Sequence, residues 1–211
     1  MNDIESRIRQ EKVIVIARGV STAPLLRTAE AMSEGGLRVL EVTLNTPEAL
    51  TTISELRKSG PGDMLIGAGT VLDRDDLEKA LEAGAQYIVT PHVDESVIET
   101  AAKAGVPIYP GAMTPTEIVR AWKAGASAVK LFPNQGLNYL KDIQGPLSHI
   151  PLVAVGGISV DNVTDYLKQN VYAIGIGSYI IHQPSIEAGH FAEITRRSSV
   201  LSEQVKSLSK V

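Results

Sequence analysis

Four times in this chain a helix-like stretch runs into a glycine and then at once into an apolar segment: EGGL (34–37), EAGA (82–85), KAGV (103–106) and KAGA (123–126). Glycine most readily takes the left-handed conformation that closes a helix, so each copy marks a helix end with a strand about to start. The segments that follow belong to a wider set of short, β-rich runs. These are VIVIAR (13–18), RVLEVTL (38–44), LIGAGTV (65–71), YIVTP (87–91), PIYPGA (107–112), AVKLFP (128–133), LVAVGG (152–157) and AIGIGS (173–178). They begin 20–27 residues apart, with room for one helix between neighbours. Mostly apolar runs of this length suit strands buried on both faces, the condition of a parallel sheet.

Two folds satisfy such an alternation: a closed barrel and an open, doubly wound sheet. Eight repeats in 211 residues match the barrel near its lower size limit. The expected fold class is therefore α/β, a single (β/α)8 TIM barrel over residues 1–211. An extra N-terminal helix is expected in MNDIESRIRQ and a last helix over 186–207. No linker, low-complexity stretch or shift in composition divides the chain. Helix starts are predicted at Thr46-Pro47, at Asp73 with Asp76, and at Thr114-Pro115 with Glu117. At each, a capping hydroxyl or carboxylate precedes proline or acid in the first turn.

Composition narrows the partners. The net charge of −4 and the lack of a basic block leave nucleic acid without an electrostatic footprint. No apolar run is long enough to span a bilayer, and the polar N-terminus lacks the apolar core of a secretion signal. No membrane partner and a cytoplasmic location are expected. Without cysteine there is no thiol catalysis, disulfide or cysteine-held metal. His92, His149, His182 and His190 are scattered without the spacing of a metal motif, so neither a metal nor another cofactor is expected.

AVKLFP raises the question of function, because a lysine inside a buried strand is costly to desolvate as its ammonium. Three roles are open to Lys130: it snorkels to water, pairs with a carboxylate, or is a nucleophile held partly neutral. Residues two apart share a face of a strand. That groups Lys130 with Ala128 and Phe132, and Glu41 with Val39, Thr43 and Asn45. It also groups Arg18 with Ile14 and Ile16, and Thr70 with Ile66 and Ala68. Arg18, Glu41, Asn45, Thr70 and Lys130 are thus expected to point inward, most of them at the C-terminal strand ends where barrel active sites are built. A buried structural ion-pair cluster is the alternative these positions leave open.

The last two runs end in Gly156-Gly157 and in Gly175-Ile176-Gly177-Ser178. Loops at these two places form the phosphate site of many barrels, because glycine lets backbone N–H groups approach an anion. Tight turns alone would also place glycine there. GAGTVL (67–72) lacks the final glycine of the dinucleotide fingerprint and is set aside.

Taken in order, IARG, RVLEVTLNTP, LIGAGTVL, IVTP, AVKLFP, AVGGIS and GIGS resemble a family: the class I aldolases that split 2-keto-3-deoxy-6-phosphogluconate. The 6-phosphogalactonate and 4-hydroxy-2-oxoglutarate aldolases are similar. The resemblance covers nearly the whole chain, and LEVTL and VKLFP are its most specific pieces. It implies that Lys130 forms a Schiff base with a 2-keto acid phosphosugar, that Glu41 is the general acid/base and that Thr70 contacts the pyruvyl part. Pro91 of IVTP and the loops carrying Gly156, Gly157, Gly177 and Ser178 complete the implied substrate site. A homotrimer is also implied.

One position departs from the pattern. The phosphogluconate enzymes usually carry arginine just after E-V-T-L, where this chain has Asn45. The galactonate-type relatives look similar in having asparagine there, with an arginine on strand one like Arg18. Arg18 is therefore the expected carboxylate clamp. Two further readings stand beside the aldolase: a phosphosugar isomerase or epimerase with Glu41 as base and Lys130 as electrostatic partner, and a barrel that binds phosphosugars without turnover.

Overall fold

The computed structural model describes residues 3–208. A first helix, α1 (Asp3–Glu11), leads into β1 (Val13–Ala17), α2 (Thr22–Glu34), β2 (Val39–Thr43), α3 (Ala49–Ser59), β3 (Leu65–Gly69) and α4 (Arg74–Glu82). Next come β4 (Ile88–Val89), α5 (Glu95–Lys103), β5 (Ile108–Tyr109), β6 (Gly111–Ala112), α6 (Pro115–Lys123) and β7 (Val129–Leu131). The last third holds α7 (Leu137–Leu147), β8 (Leu152–Val155), α8 (Val163–Leu167), β9 (Ala173–Ile176), α9 (Gln183–Glu187) and α10 (Phe191–Leu208).

Among the described residues the strands form one parallel sheet in the order β5-β4-β3-β2-β1-β9-β8-β7-β6. Its two ends, β5 and β6, are consecutive pieces of the single run PIYPGA, interrupted at Pro110, which has no N–H to give to a ladder. On one side Ile88 pairs with Ile108, and on the other Gly111 pairs with Lys130. The Pro110 carbonyl still accepts the Lys130 N–H at 2.9 Å, and Gly111 N–H donates to Thr90 at 2.9 Å. The run therefore touches both neighbours and closes the sheet. All eight predicted strands are present, as is the N-terminal helix.

Two apolar layers follow. Val15, Leu40, Val42, Ile66, Ala68, Val129 and Leu131 pack in the outer layer beneath the helices. Ile14, Val39, Leu65, Tyr87, Tyr109 and Val153 fill the barrel, with Ile8 of α1 among them. The Tyr172 hydroxyl donates to the Glu5 carbonyl at 2.7 Å, so α1 is tied across the N-terminal end as a plug. This layering corrects the face assigned to β3. Ile66 and Ala68 point outward, while Gly67 lies against the Tyr87 ring and Gly69 against the Glu41 carboxylate. A run that is apolar on both faces carries no polarity signal to choose between them.

Two of the three predicted helix starts hold. Asp73 accepts the Asp76 N–H, and Thr114 forms a reciprocal capping box with Glu117. Thr46 does not cap: α3 begins after a left-handed Glu48, and the Thr46 hydroxyl instead accepts the Gly19 N–H at 2.9 Å, tying the end of β2 to the loop after β1. The last predicted helix is two, α9 and α10, parted at Gly189 with φ +71°.

At the repeated helix ends, Gly36, Gly84, Gly105 and Gly125 all take positive φ. After α4, Gly84 donates to Leu81 at 2.9 Å and Ala85 to Ala80 at 3.0 Å, the paired closure of a left-handed cap. Gly105 isolates the backbone contribution, because a Cβ built there meets nothing within 4 Å while φ is +69°. Gly105→Ala is expected to cost about 1 kcal/mol, and Gly105→Asn less, since asparagine tolerates this region. Both are read as shifts in urea midpoint at unchanged slope.

Candidate active site

Lys130 projects inward from β7 and is 7% exposed. Its Nζ lies 4.5 Å from the centroid of the Phe132 ring. The side chain lines a cavity of about 450 Å³ at the C-terminal strand ends, together with Arg18, Gly156, Gly157, Gly177 and Ser178. A second, internal space of about 10 Å³ is lined by both Lys130 and Glu41. The amine therefore looks into the open mouth on one side and towards the carboxyl on the other.

Glu41 comes from the centre of β2 and is 2% exposed. Its carboxylate is seated on Gly69 of the next strand, where any Cβ would overlap Oε1. Burial pushes the Glu41 carboxyl above its ordinary value, against the opposing pull of Lys130 and then Arg18. Burial likewise pushes the Lys130 ammonium below its ordinary value; Glu41 opposes that and Arg18 adds to it. Both groups are thus driven towards their neutral forms. Among the described residues no ion pair joins them, and the bridges that exist lie elsewhere. Lys130 neither snorkels to water nor forms a structural salt bridge.

The signs give opposite expectations for two variants. Arg18→Ala removes a cation that disfavours the ammonium, so the Lys130 amine should titrate at higher pH. Glu41→Gln removes the anion that favours the ammonium, so the amine should titrate at lower pH. The pH dependence of reductive methylation at Lys130 reads both shifts, and shifts in the same direction would contradict the arrangement.

Three predicted residues line neither of these two spaces. Asn45 is exposed on the turn after β2, and Pro91 packs its backbone against Gly111; neither lines the mouth cavity. Thr70 follows β3 with φ +58°, a strained conformation for a β-branched residue, and this takes it off the alternation of the strand. Among the residues that sequence reasoning did not single out, Phe132 and Gln183 also line the mouth. Gln183 approaches the Arg18 and Gly19 carbonyls at 3.5 Å each from the start of α9. No local signal marks it, because its neighbours come from 165 residues away along the chain.

A larger cavity of about 740 Å³ lies at the opposite end of the barrel, lined by Arg9, Lys12 and His149 among others. It holds none of the predicted site residues. Among the described residues no three histidine, aspartate or glutamate side chains gather closely enough to hold a metal. No described helix is long and apolar enough to cross a membrane.

Barrel enzymes carry out their chemistry at the C-terminal end, and a lysine driven towards neutrality is the nucleophile of those that form imines with carbonyl substrates. This is the class the fold and the mouth define, and known proteins agree. A family model described as KDPG and KHG aldolase matches residues 4–197. The KHG/KDPG aldolase of Escherichia coli K12 is 37% identical over 188 residues, covering 87% of this chain and 86% of that one. A probable 2-dehydro-3-deoxy-6-phosphogalactonate aldolase of Rhizobium meliloti is 34% identical over 183 residues, with 85% and 86% covered. Among solved structures, a KDPG aldolase from Legionella pneumophila, with pyruvate captured at low pH as a covalent carbinolamine intermediate, superposes with a TM-score of 0.85. It is 28% identical, with 94% of this chain and 97% of that one covered. The chain belongs to the KDPG and KHG aldolase family and is a carbon–carbon lyase, a class I aldolase.

Proposed function

We propose that this enzyme reversibly cleaves 2-keto-3-deoxy-6-phosphogluconate to pyruvate and glyceraldehyde 3-phosphate through an imine on Lys130. The observation that carries this is the Lys130 amine itself: buried, without an ion-pair partner among the described residues, lowered in basicity by burial, and sharing an internal space with Glu41. The neutral amine attacks the C2 ketone and water leaves. The resulting iminium takes up the electron pair released when the C3–C4 bond breaks. Glu41 accepts the C4 hydroxyl proton through a water molecule and then returns a proton to C3 of the enamine. Hydrolysis of the pyruvyl imine consumes one water and restores the amine.

Arg18 on the rim supplies the positive charge for the substrate carboxylate, with Asn45 and Thr70 completing that end. The strained backbone of Thr70 supports a functional role there. Pro91 borders the pyruvyl part. Gly156, Gly157, Gly177 and Ser178 receive the phosphate, fixing the register of the substrate without taking part in the chemistry. The reading extends to 4-hydroxy-2-oxoglutarate, cleaved to pyruvate and glyoxylate, and to a cytoplasmic homotrimer that needs no metal or cofactor.

Asn45 in place of arginine, with Arg18 directly after β1, favours one second reading, the 6-phosphogalactonate epimer. Incubation with pyruvate and borohydride tests the chemistry common to both. The expected result is one covalent adduct on Lys130, whereas an isomerase or a non-catalytic binding barrel gives none. Pyruvate release from the two epimers then ranks them.

A further inference from the structure

The loop after β7 and the loop after β8 are joined by one side chain that takes no part in the chemistry above. Asn134 Nδ2 donates to the Gly156 carbonyl at 2.8 Å and to the Tyr166 hydroxyl at 2.8 Å. Its Oδ1 accepts the Gly136 N–H at 3.1 Å. Two amide hydrogens and the carbonyl oxygen are therefore all engaged, and the flipped amide would set oxygen against the Gly156 oxygen. A second asparagine repeats the contact one residue on: Asn162 Nδ2 donates to the Gly157 carbonyl at 2.9 Å, and its Oδ1 accepts the Ser159 N–H at 2.9 Å.

The consequence follows from peptide geometry. In a planar trans peptide the C=O of one residue and the N–H of the next point in opposite directions. With the Gly156 carbonyl held on Asn134 and the Gly157 carbonyl on Asn162, the N–H groups of Gly157 and Ile158 each point away from the asparagine that holds the preceding carbonyl. Gly156, Gly157 and Ile158 all line the mouth cavity beside Lys130. Positive φ at Gly156 (+111°) and Gly157 (+65°) makes the loop easy to remodel, so without outside support its N–H directions would be poorly defined. The helix that follows, α8, spans only five residues. The loop itself has to present the donors.

We propose that Asn134, with Asn162, is a positioning clamp that aims the Gly157 and Ile158 N–H groups at the phosphate of the substrate. It thereby sets the preference for a phosphorylated keto acid over an unphosphorylated one. This deepens the aldolase reading and rests on it. Asn134 also belongs to the segment KLFPN that begins with the imine-forming lysine, so the clamp fixes the phosphate loop relative to the nucleophile. The distance between the two determines which substrate length fits.

The test compares Asn134→Ala and Asn134→Asp with the unaltered enzyme. Both variants remove the donor to Gly156. The expected result is a rise of about tenfold or more in KM for 2-keto-3-deoxy-6-phosphogluconate, and an equal weakening of competitive inhibition by inorganic phosphate. The rate of pyruvate trapping on Lys130, which involves no phosphate, should stay within about twofold, as should kcat. Tyr166→Phe removes the other acceptor and leaves the Gly156 bond, so its KM should stay near that of the unaltered enzyme. Parallel loss of trapping and cleavage in both Asn134 variants would mean a merely structural role and overturn the clamp, as would an unchanged KM. Absence of trapping in the unaltered enzyme would instead defeat the aldolase reading.

Discussion

Lys130→Ala is expected to lose turnover by about 10⁴-fold or more and to give no borohydride adduct with pyruvate. The reason is electronic. Breaking the C3–C4 bond leaves an electron pair that only a cation conjugated with C2 can accept, and no other amine lines the space shared with Glu41. Lys130→Arg discriminates further. A guanidinium stays protonated and cannot form the imine, yet keeps a positive charge at the site. If Lys130 served as an electrostatic partner of an isomerase base, arginine would retain much of the activity. If Lys130 is the nucleophile, arginine should be as inactive as alanine. Substantial turnover in Lys130→Arg would sink the imine mechanism. The alanine variant should remain folded, because it removes a buried amine that carries a desolvation penalty, and Glu41, left without that cation, is pushed further towards its neutral form.

The second large effect concerns Glu41 and the glycine beneath it. Glu41→Gln is expected to keep imine trapping while slowing cleavage at least about a hundredfold, since the amide cannot move the C4 and C3 protons. Gly69→Ala should reproduce that pattern without touching the carboxyl chemically. Gly69 is not among the positive-φ glycines, so alanine meets no backbone strain there, and its Cβ would overlap Glu41 Oε1. The carboxylate must move, and proton transfer over a lengthened path should fall by roughly tenfold to a hundredfold, within the contribution of a positioned acid–base. Measuring kcat alongside the trapping rate separates this from general damage: cleavage falls and trapping persists. Near-normal kcat in both variants would remove Glu41 from the mechanism.

Much of the barrel was legible because its signals are local. A helix end needs a left-handed residue within one turn, so Gly84 and Gly105 announce themselves through their own neighbours. The capping pair Thr114 and Glu117 sits three residues apart and closes on itself. The departures from local pattern are of another kind. Thr46 has the right residues after it for a cap, but its hydroxyl is taken by Gly19, 27 positions away. Strict alternation would put Ile66 and Ala68 on the face of Thr70, but the positive φ at Thr70 breaks the alternation and the two apolar residues face outward. Gln183 could not have been singled out before the chain closed on itself.

What the chain alone determined is therefore the repeat: eight strands, the helices between them, and the identity of the polar side chains near the strand ends. These follow from short-range backbone preference and from the need to bury apolar runs, both of which are written residue by residue. Tertiary structure decided the chemistry. Whether Lys130 is neutralised depends on opposing contributions from burial, Glu41 and Arg18, three effects contributed by different strands. Whether Glu41 can face the amine depends on a glycine 28 positions further on in a neighbouring strand. Burial and Coulomb interaction act through space, and that distance exists only once the sheet has closed.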